Sequence, residues 1–180
     1  MRYKDRPERE GSETDQREIA ALFEELKFTV NLSTDLTTVQ IHRELQRIAE
    51  RDHSTHDAFV SIIMSHGGVG DAVYGVDGGS LTIRDLMKPF NEANCPTLKN
   101  KPKVFIIQAC RGGGFDHPEE EAYYGICPTE ADFLLAHSTV PGALSFRHTF
   151  DGSVFIQVSL TCNRLFSEFQ LMILHCHQLF

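Results

Sequence analysis

Three short apolar runs stand out along the chain: Phe59-Val60-Ser61-Ile62-Ile63-Met64, Val104-Phe105-Ile106-Ile107 and Phe133-Leu134-Leu135-Ala136. Each reads as a buried strand. Between and around them the apolar spacing is helical. Ile19, Leu22, Phe23 and Leu26 form one face. Thr37 with Gln40 makes a capping box, flanked by a Leu36–Ile41 staple, and opens a helix that carries Ile41, Leu45 and Ile48. A further helix is predicted over 82–90, and Val154, Val158, Cys162, Leu165, Phe166 and Phe169 lie on one helical stripe. Alternation over 28–32 predicts a short strand. Residues 1–15 are almost wholly polar and read as a loop or frayed end, and the glycines from Gly75 to Gly79 punctuate a turn. Residues 111–130 have no sustained periodicity, three consecutive glycines and the acidic run Glu119-Glu120-Glu121, so they read as an exposed connection of unusual length. Strands that alternate with helices predict an α/β fold with a mostly parallel sheet.

The 180 residues suffice for one domain with a real core. A formal net charge of −8 excludes a general attraction to nucleic acid or to an anionic membrane. No run is long and apolar enough to span a bilayer, and the polar start, Met1-Arg2-Tyr3-Lys4-Asp5-Arg6, does not resemble a signal peptide. A cytoplasmic, reducing location is expected. The cysteines, Cys95, Cys110, Cys127, Cys162 and Cys176, are odd in number and include no Cys-x-x-Cys, which argues against a disulfide framework or a zinc site. His175-Cys176-His177 is a weak metal pattern, because alternating residues on a helix point in different directions. Neither a metal nor another cofactor is expected. His53 and His56 read as solvated surface residues near a turn.

The chemistry lies where two of the predicted strands end. Cys110 leaves the second run at the rim of a sheet, where ligands bind in open α/β folds, and the first run ends in Ser65-His66-Gly67. A thiol attacks a carbonyl as thiolate, and a neighbouring imidazole can generate that state and then protonate the leaving amine. The glycine after His66 permits close approach of the backbone to a substrate. The amides of Gly67 and Cys110 would then donate to the oxyanion of a tetrahedral intermediate. Taken singly, the cysteine also fits a small core residue and the histidine a turn residue.

Gln108-Ala109-Cys110-Arg111-Gly112, with a histidine upstream, is the signature that marks the caspases. The chain resembles that family of cysteine proteases over roughly residues 9–169. The likeness includes Arg9-Glu10-Gly11, Leu26-Lys27-Phe28, Asp35-Leu36-Thr37, Asp52-His53-Ser54, Lys101-Pro102-Lys103, Ala131-Asp132-Phe133-Leu134, Ser138-Thr139-Val140-Pro141-Gly142, Ser145-Phe146-Arg147 and Asp151-Gly152-Ser153. The resemblance implies a caspase-like three-layer sandwich, its mostly parallel central sheet flanked by helices, and cleavage of proteins after aspartate. It maps the aspartate carboxylate to Arg9, Gln108 and Arg147, where a planar guanidinium fork suits a carboxylate. Ser145 would line the same pocket. Leu144 and Phe146 would wall the neighbouring one, with phenylalanine where the family usually has tryptophan. The same mapping divides the chain into a polar segment (1–8), a large-subunit region (9–110), an inter-subunit linker (111–130) and a small-subunit region (131–180). Asp116, the sole aspartate of the linker, is the expected processing site.

Two parts of the family pattern do not match. An apolar central strand normally precedes the segment that contains Arg9, and here residues 1–8 are polar. The helix, specificity loop and final strand that normally follow are not recognisable beyond Phe169. The expected fold is therefore incomplete. Two functions follow: a cysteine endopeptidase in apoptosis or related proteolytic signalling, or a truncated, inactive homologue or isoform that binds caspase partners or inhibitors. Expected partners are protein substrates with an exposed aspartate, a second copy or another caspase, and inhibitor proteins, with neither nucleic acid nor membrane. A flavodoxin-like binder is disfavoured, since no glycine-rich phosphate loop follows a strand.

Overall fold

A computed structural model describes residues 7–112 and 132–167. In chain order its elements are α1 (Ser12–Glu25), α2 (Thr38–Ala49), β1 (Phe59–Met64), β2 (Gly67–Gly68), β3 (Ala72–Tyr74), β4 (Ser80–Thr82), α3 (Ile83–Met87), β5 (Lys103–Gln108), β6 (Phe133–His137), β7 (Arg147–His148), β8 (Gly152–Ser153) and α4 (Val154–Ser167). The contacts divide the chain into two units, one of residues 1–9 and 33–145, the other of residues 10–32 and 146–180.

The first unit is built on a parallel sheet in the order β1-β5-β6. The three apolar runs form these strands, as their composition predicts. Phe59 pairs with Lys103 and Lys103 with Phe133, so the phenylalanines at the strand starts meet Phe90 and Phe105 in one aromatic cluster. Ring centroids lie 4.2 Å apart for Phe59–Phe90, 5.8 Å for Phe90–Phe105 and 6.0 Å for Phe105–Phe133. Ile83, Leu86, Leu98 and Ile107 complete a core closed to solvent. Lys103 is buried as well. Its ammonium pairs with Asp132 and donates to the Leu98 carbonyl at 3.0 Å, which offsets the cost of burying the charge.

The capping box predicted at Thr37 is present: Gln40 N–H donates to Thr37 Oγ1 at 3.3 Å, and Thr37 N–H donates to Gln40 Oε1 at 2.9 Å. A second box, Thr82 with Asp85, opens α3. The helix predicted over 82–90 is two pieces, α3 and a 3-10 turn at Lys88–Phe90, because Pro89 supplies no amide to continue the α-helix. His53 departs from the expected surface position. It is buried, and its Nε2–H donates to the carbonyl of Ile48 in the last turn of α2 at 2.8 Å. The same carbonyl accepts from Arg51 N–H at 3.1 Å, so both donors close the end of α2.

In the second unit, α1 begins at Ser12, inside the stretch read as a loop. The reason is a buried polar contact. Asp15 is fully buried and accepts from Ser153 N–H at 2.9 Å and from Gln157 Nε2 at 3.0 Å, at the start of α4. The carboxylate thus satisfies a donor that the helix leaves open and sits at the positive end of its dipole. Gly11 precedes α1 with φ 83°, and a β-carbon there would meet Thr149 O at 2.9 Å. The strand predicted over 28–32 is not formed. Phe28 N–H closes the end of α1 by donating to Phe23 O at 2.9 Å, and among the described residues no ladder pairs with this stretch.

Candidate active site

Register brings His66 and Cys110 out of the same end of the sheet. β1 and β5 run parallel with Met64 opposite Gln108, so His66 and Cys110 each follow by two residues. Ser65 N–H then donates to Gln108 O at 3.1 Å and extends the pairing by one step. Gly67 is where the two exits touch. A β-carbon on it would collide with the Cys110 carbonyl oxygen and lie 3.0 Å from Ala109 Cβ.

His66 Nε2 lies 2.9 Å from the carbonyl oxygen of Pro7. A carbonyl only accepts, so Nε2 carries the proton and Nδ1 of the neutral ring keeps its lone pair. Pro7 was not legible as a site residue, because the group it contributes is a backbone oxygen that every residue possesses. Cys110 is half-buried, and its Sγ accepts from Ser145 N–H at 3.5 Å. Cys95 differs in kind: it is fully buried, and burial pushes its thiol above the ordinary cysteine range, which marks an inert core thiol.

The residues mapped to an acid pocket divide between the units. Arg9, Gln108 and Ser145 lie in the first, with His66, Gly67 and Cys110. Arg9 is buried despite its polar neighbours, and its Nη1 donates to Ser65 O at 2.6 Å, beside His66. Gln108 is 1% exposed and donates from Nε2 to Ser145 Oγ at 2.8 Å. Its Oε1 has no hydrogen bond among the described residues. Ser145 therefore contacts both the glutamine and the thiol. Leu144 is exposed. Arg147 and Phe146 lie in the second unit, where Arg147 Nε donates to Glu10 O at 2.7 Å and Phe146 is 75% exposed. Asp116 and His175-Cys176-His177 fall outside the described residues.

The residue after Cys110 belongs to a buried charge cluster. Arg111 Nε donates to Asp71 Oδ1 at 2.6 Å, and both side chains are buried. His137, at the end of β6, has both ring nitrogens buried without a hydrogen-bond partner among the described residues. Burial holds His137 below the ordinary histidine range; the Arg111 cation pushes the same way and Asp71 opposes it. The only sequence signal for this cluster was the arginine after the cysteine. Among the described residues no three potential metal ligands cluster, and no helix is long and apolar enough to cross a membrane.

A family model described as the caspase domain matches residues 1–172. The chain is 37% identical to caspase-3 of Felis catus over 169 residues, covering 90% of this chain and 60% of that protein. It is 36% identical to caspase-8 of Mus musculus over 166 residues, covering 83% of this chain and 34% of that protein. With caspase-10 of Homo sapiens it shares 39% identity over 171 residues, covering 88% and 32%. The chain thus spans between a third and three-fifths of the length of these relatives.

Proposed function

Because the chain belongs to the caspase family of cysteine-type peptidases, we propose that it is an endopeptidase that cleaves proteins after aspartate, with Cys110 as nucleophile and His66 as base. The observation that carries this reading is the Pro7 carbonyl on His66 Nε2, which leaves Nδ1 as the basic nitrogen of the ring. In the proposed cycle Nδ1 takes the thiol proton and the Cys110 thiolate attacks the scissile carbonyl. The Gly67 and Cys110 amides donate to the oxyanion. His66 then returns the proton to the leaving amine, and water hydrolyses the thioester.

Arg9 and Gln108 bind the substrate carboxylate in this reading, lined by Ser145. Arg147 joins them on its sequence motif, and Leu144 and Phe146 flank the preceding substrate residue. Natural substrates are proteins with an exposed aspartate, in apoptosis or related proteolytic signalling. Pairing with a second copy or another caspase, and capture by inhibitor proteins, belong to the same reading. Self-processing follows Asp116 and is read from fragment masses, with Asp116→Ala as control.

The test is turnover of fluorogenic peptides that end in aspartate or asparagine, by the parent chain and by Cys110→Ala. The expected result is cleavage of the aspartyl peptide, loss of cleavage in the variant, and a preference over asparagine of at least about a hundredfold, since the site would otherwise bury unpaired donors. Turnover that persists in Cys110→Ala, or equal rates on both peptides, would contradict it. A folded chain without turnover would leave the binding of caspase partners or inhibitors as its role.

A further inference from the structure

We propose that Asp71 is a positioning residue for Cys110 and acts through Arg111. The inference rests on the reading of Cys110 as the nucleophile. Asp71 ends the 3-10 turn Val69–Asp71, in the loop that begins at His66, and holds φ 58°, a left-handed conformation that only a few side chains adopt without strain. Its carboxylate takes the Nε–H of Arg111, the residue that follows Cys110. Three further atoms of Arg111 are engaged by the segment leading to Ser145. Nη1 donates to Thr139 O at 3.4 Å, the backbone N–H donates to Ala143 O at 3.0 Å, and the backbone carbonyl accepts from Gly142 N–H at 2.9 Å. A β-carbon on Gly112 would lie 2.8 Å from Gly142 Cα, so these strands of loop are in close contact. Ser145, three residues on, donates to the Cys110 sulfur.

Asp71 therefore closes a loop of contacts that joins the histidine exit, the cysteine exit and the segment over the thiol. It also balances the permanent cation of the residue that follows Cys110. Among the described residues the charged and titratable groups that meet here are Asp71, Arg111 and His137, with Cys110 next to Arg111 in the chain. Losing the carboxylate would take its charge away from a buried guanidinium carried by the residue that follows Cys110.

The experiment follows the pH dependence of iodoacetamide alkylation at Cys110, read by mass spectrometry of the peptide that contains it. It uses the full chain and its Asp71→Asn, Arg111→Met and double variants, with peptide turnover in parallel. Asparagine keeps an oxygen for Arg111 Nε and tolerates the left-handed backbone. The expected pH midpoint falls by about half a unit or more in Asp71→Asn and rises by about as much in Arg111→Met. In the double variant it returns close to the parent value, because the two effects cancel. Shifts of the same sign, a double variant displaced from the parent by as much as either single variant, or an unmoved midpoint in Asp71→Asn would overturn the proposal. If a single variant fails to fold, the double variant decides: folded and reactive supports the coupled pair, while unfolded marks a merely structural role and overturns it. A parent without peptide turnover but with the opposed shifts would sink the protease reading while the coupling of Asp71 to the Cys110 thiol stands. Turnover with an unmoved midpoint would do the reverse.

Discussion

At position 67 a β-carbon would run into the Cys110 carbonyl and crowd Ala109, so alanine there forces the two exits apart. Displacements of that size near reacting atoms cost on the order of a hundredfold in rate. Gly67→Ala is predicted to lose that much kcat/KM on an aspartyl peptide while its far-ultraviolet circular dichroism is unchanged; activity within threefold of the parent, roughly, would contradict the contact. His137 makes a separate prediction. Its folded pKa lies below its unfolded value, so it stays neutral when folded, and stability is full above about pH 6.5. As pH falls below that value the unfolded chain binds the proton first, and stability is lost by at most about 1.4 kcal/mol per pH unit until the lower folded pKa is reached. The shifted carboxyls Asp52, Asp77 and Asp85 act lower, beneath their ordinary value of 3.8. Urea titrations between pH 7 and 5 on the parent and on His137→Phe should show this slope only in the parent. At this scale the proposed catalytic pair could be named from the sequence, because a cysteine motif and a distant histidine carry a family signature. Pro7 and Asp71 could not, since a backbone carbonyl and a loop carboxylate have no pattern of their own.

Elements were legible where their stability comes from apolar burial. β1, β5 and β6 coincide with the hydrophobic runs, and the box at Thr37 opens α2 as its side chains predict. Legibility failed where a distant polar partner decides the outcome. The polar opening of α1 resembles a loop until Asp15 is seen to take two donors from the start of α4. Alternation at 28–32 is a strand signal only if a neighbouring strand supplies the ladder, and no described residues do so. Asp15→Ala removes the acceptor and leaves the Ser153 amide buried and unpaired. It should cost about 2–3 kcal/mol, measured as a shift in urea midpoint at constant slope. A loss under about 0.5 kcal/mol would show that the contact does not hold α1 and α4 in place.

At the scale of the whole molecule, the proposed catalytic pair belongs to one unit, and its placement follows from strand direction. Parallel strands paired at Met64 and Gln108 deliver an imidazole and a thiol to one edge without a long-range search for partners. The assignment of Ser145 and Arg147 to different units could not be read from the sequence, because they lie only two residues apart in the chain. The central claim is that Cys110 is the nucleophile of an aspartate-directed site. Its most direct test is the intact and peptide mass of the chain after reaction with an aspartyl fluoromethyl ketone and with the matching asparaginyl compound. The account predicts one aspartyl adduct, carried on Cys110, abolished in Cys110→Ala, slowed in His66→Ala and absent with the asparaginyl reagent. Adducts on other cysteines, or equal labelling by both reagents, would contradict it.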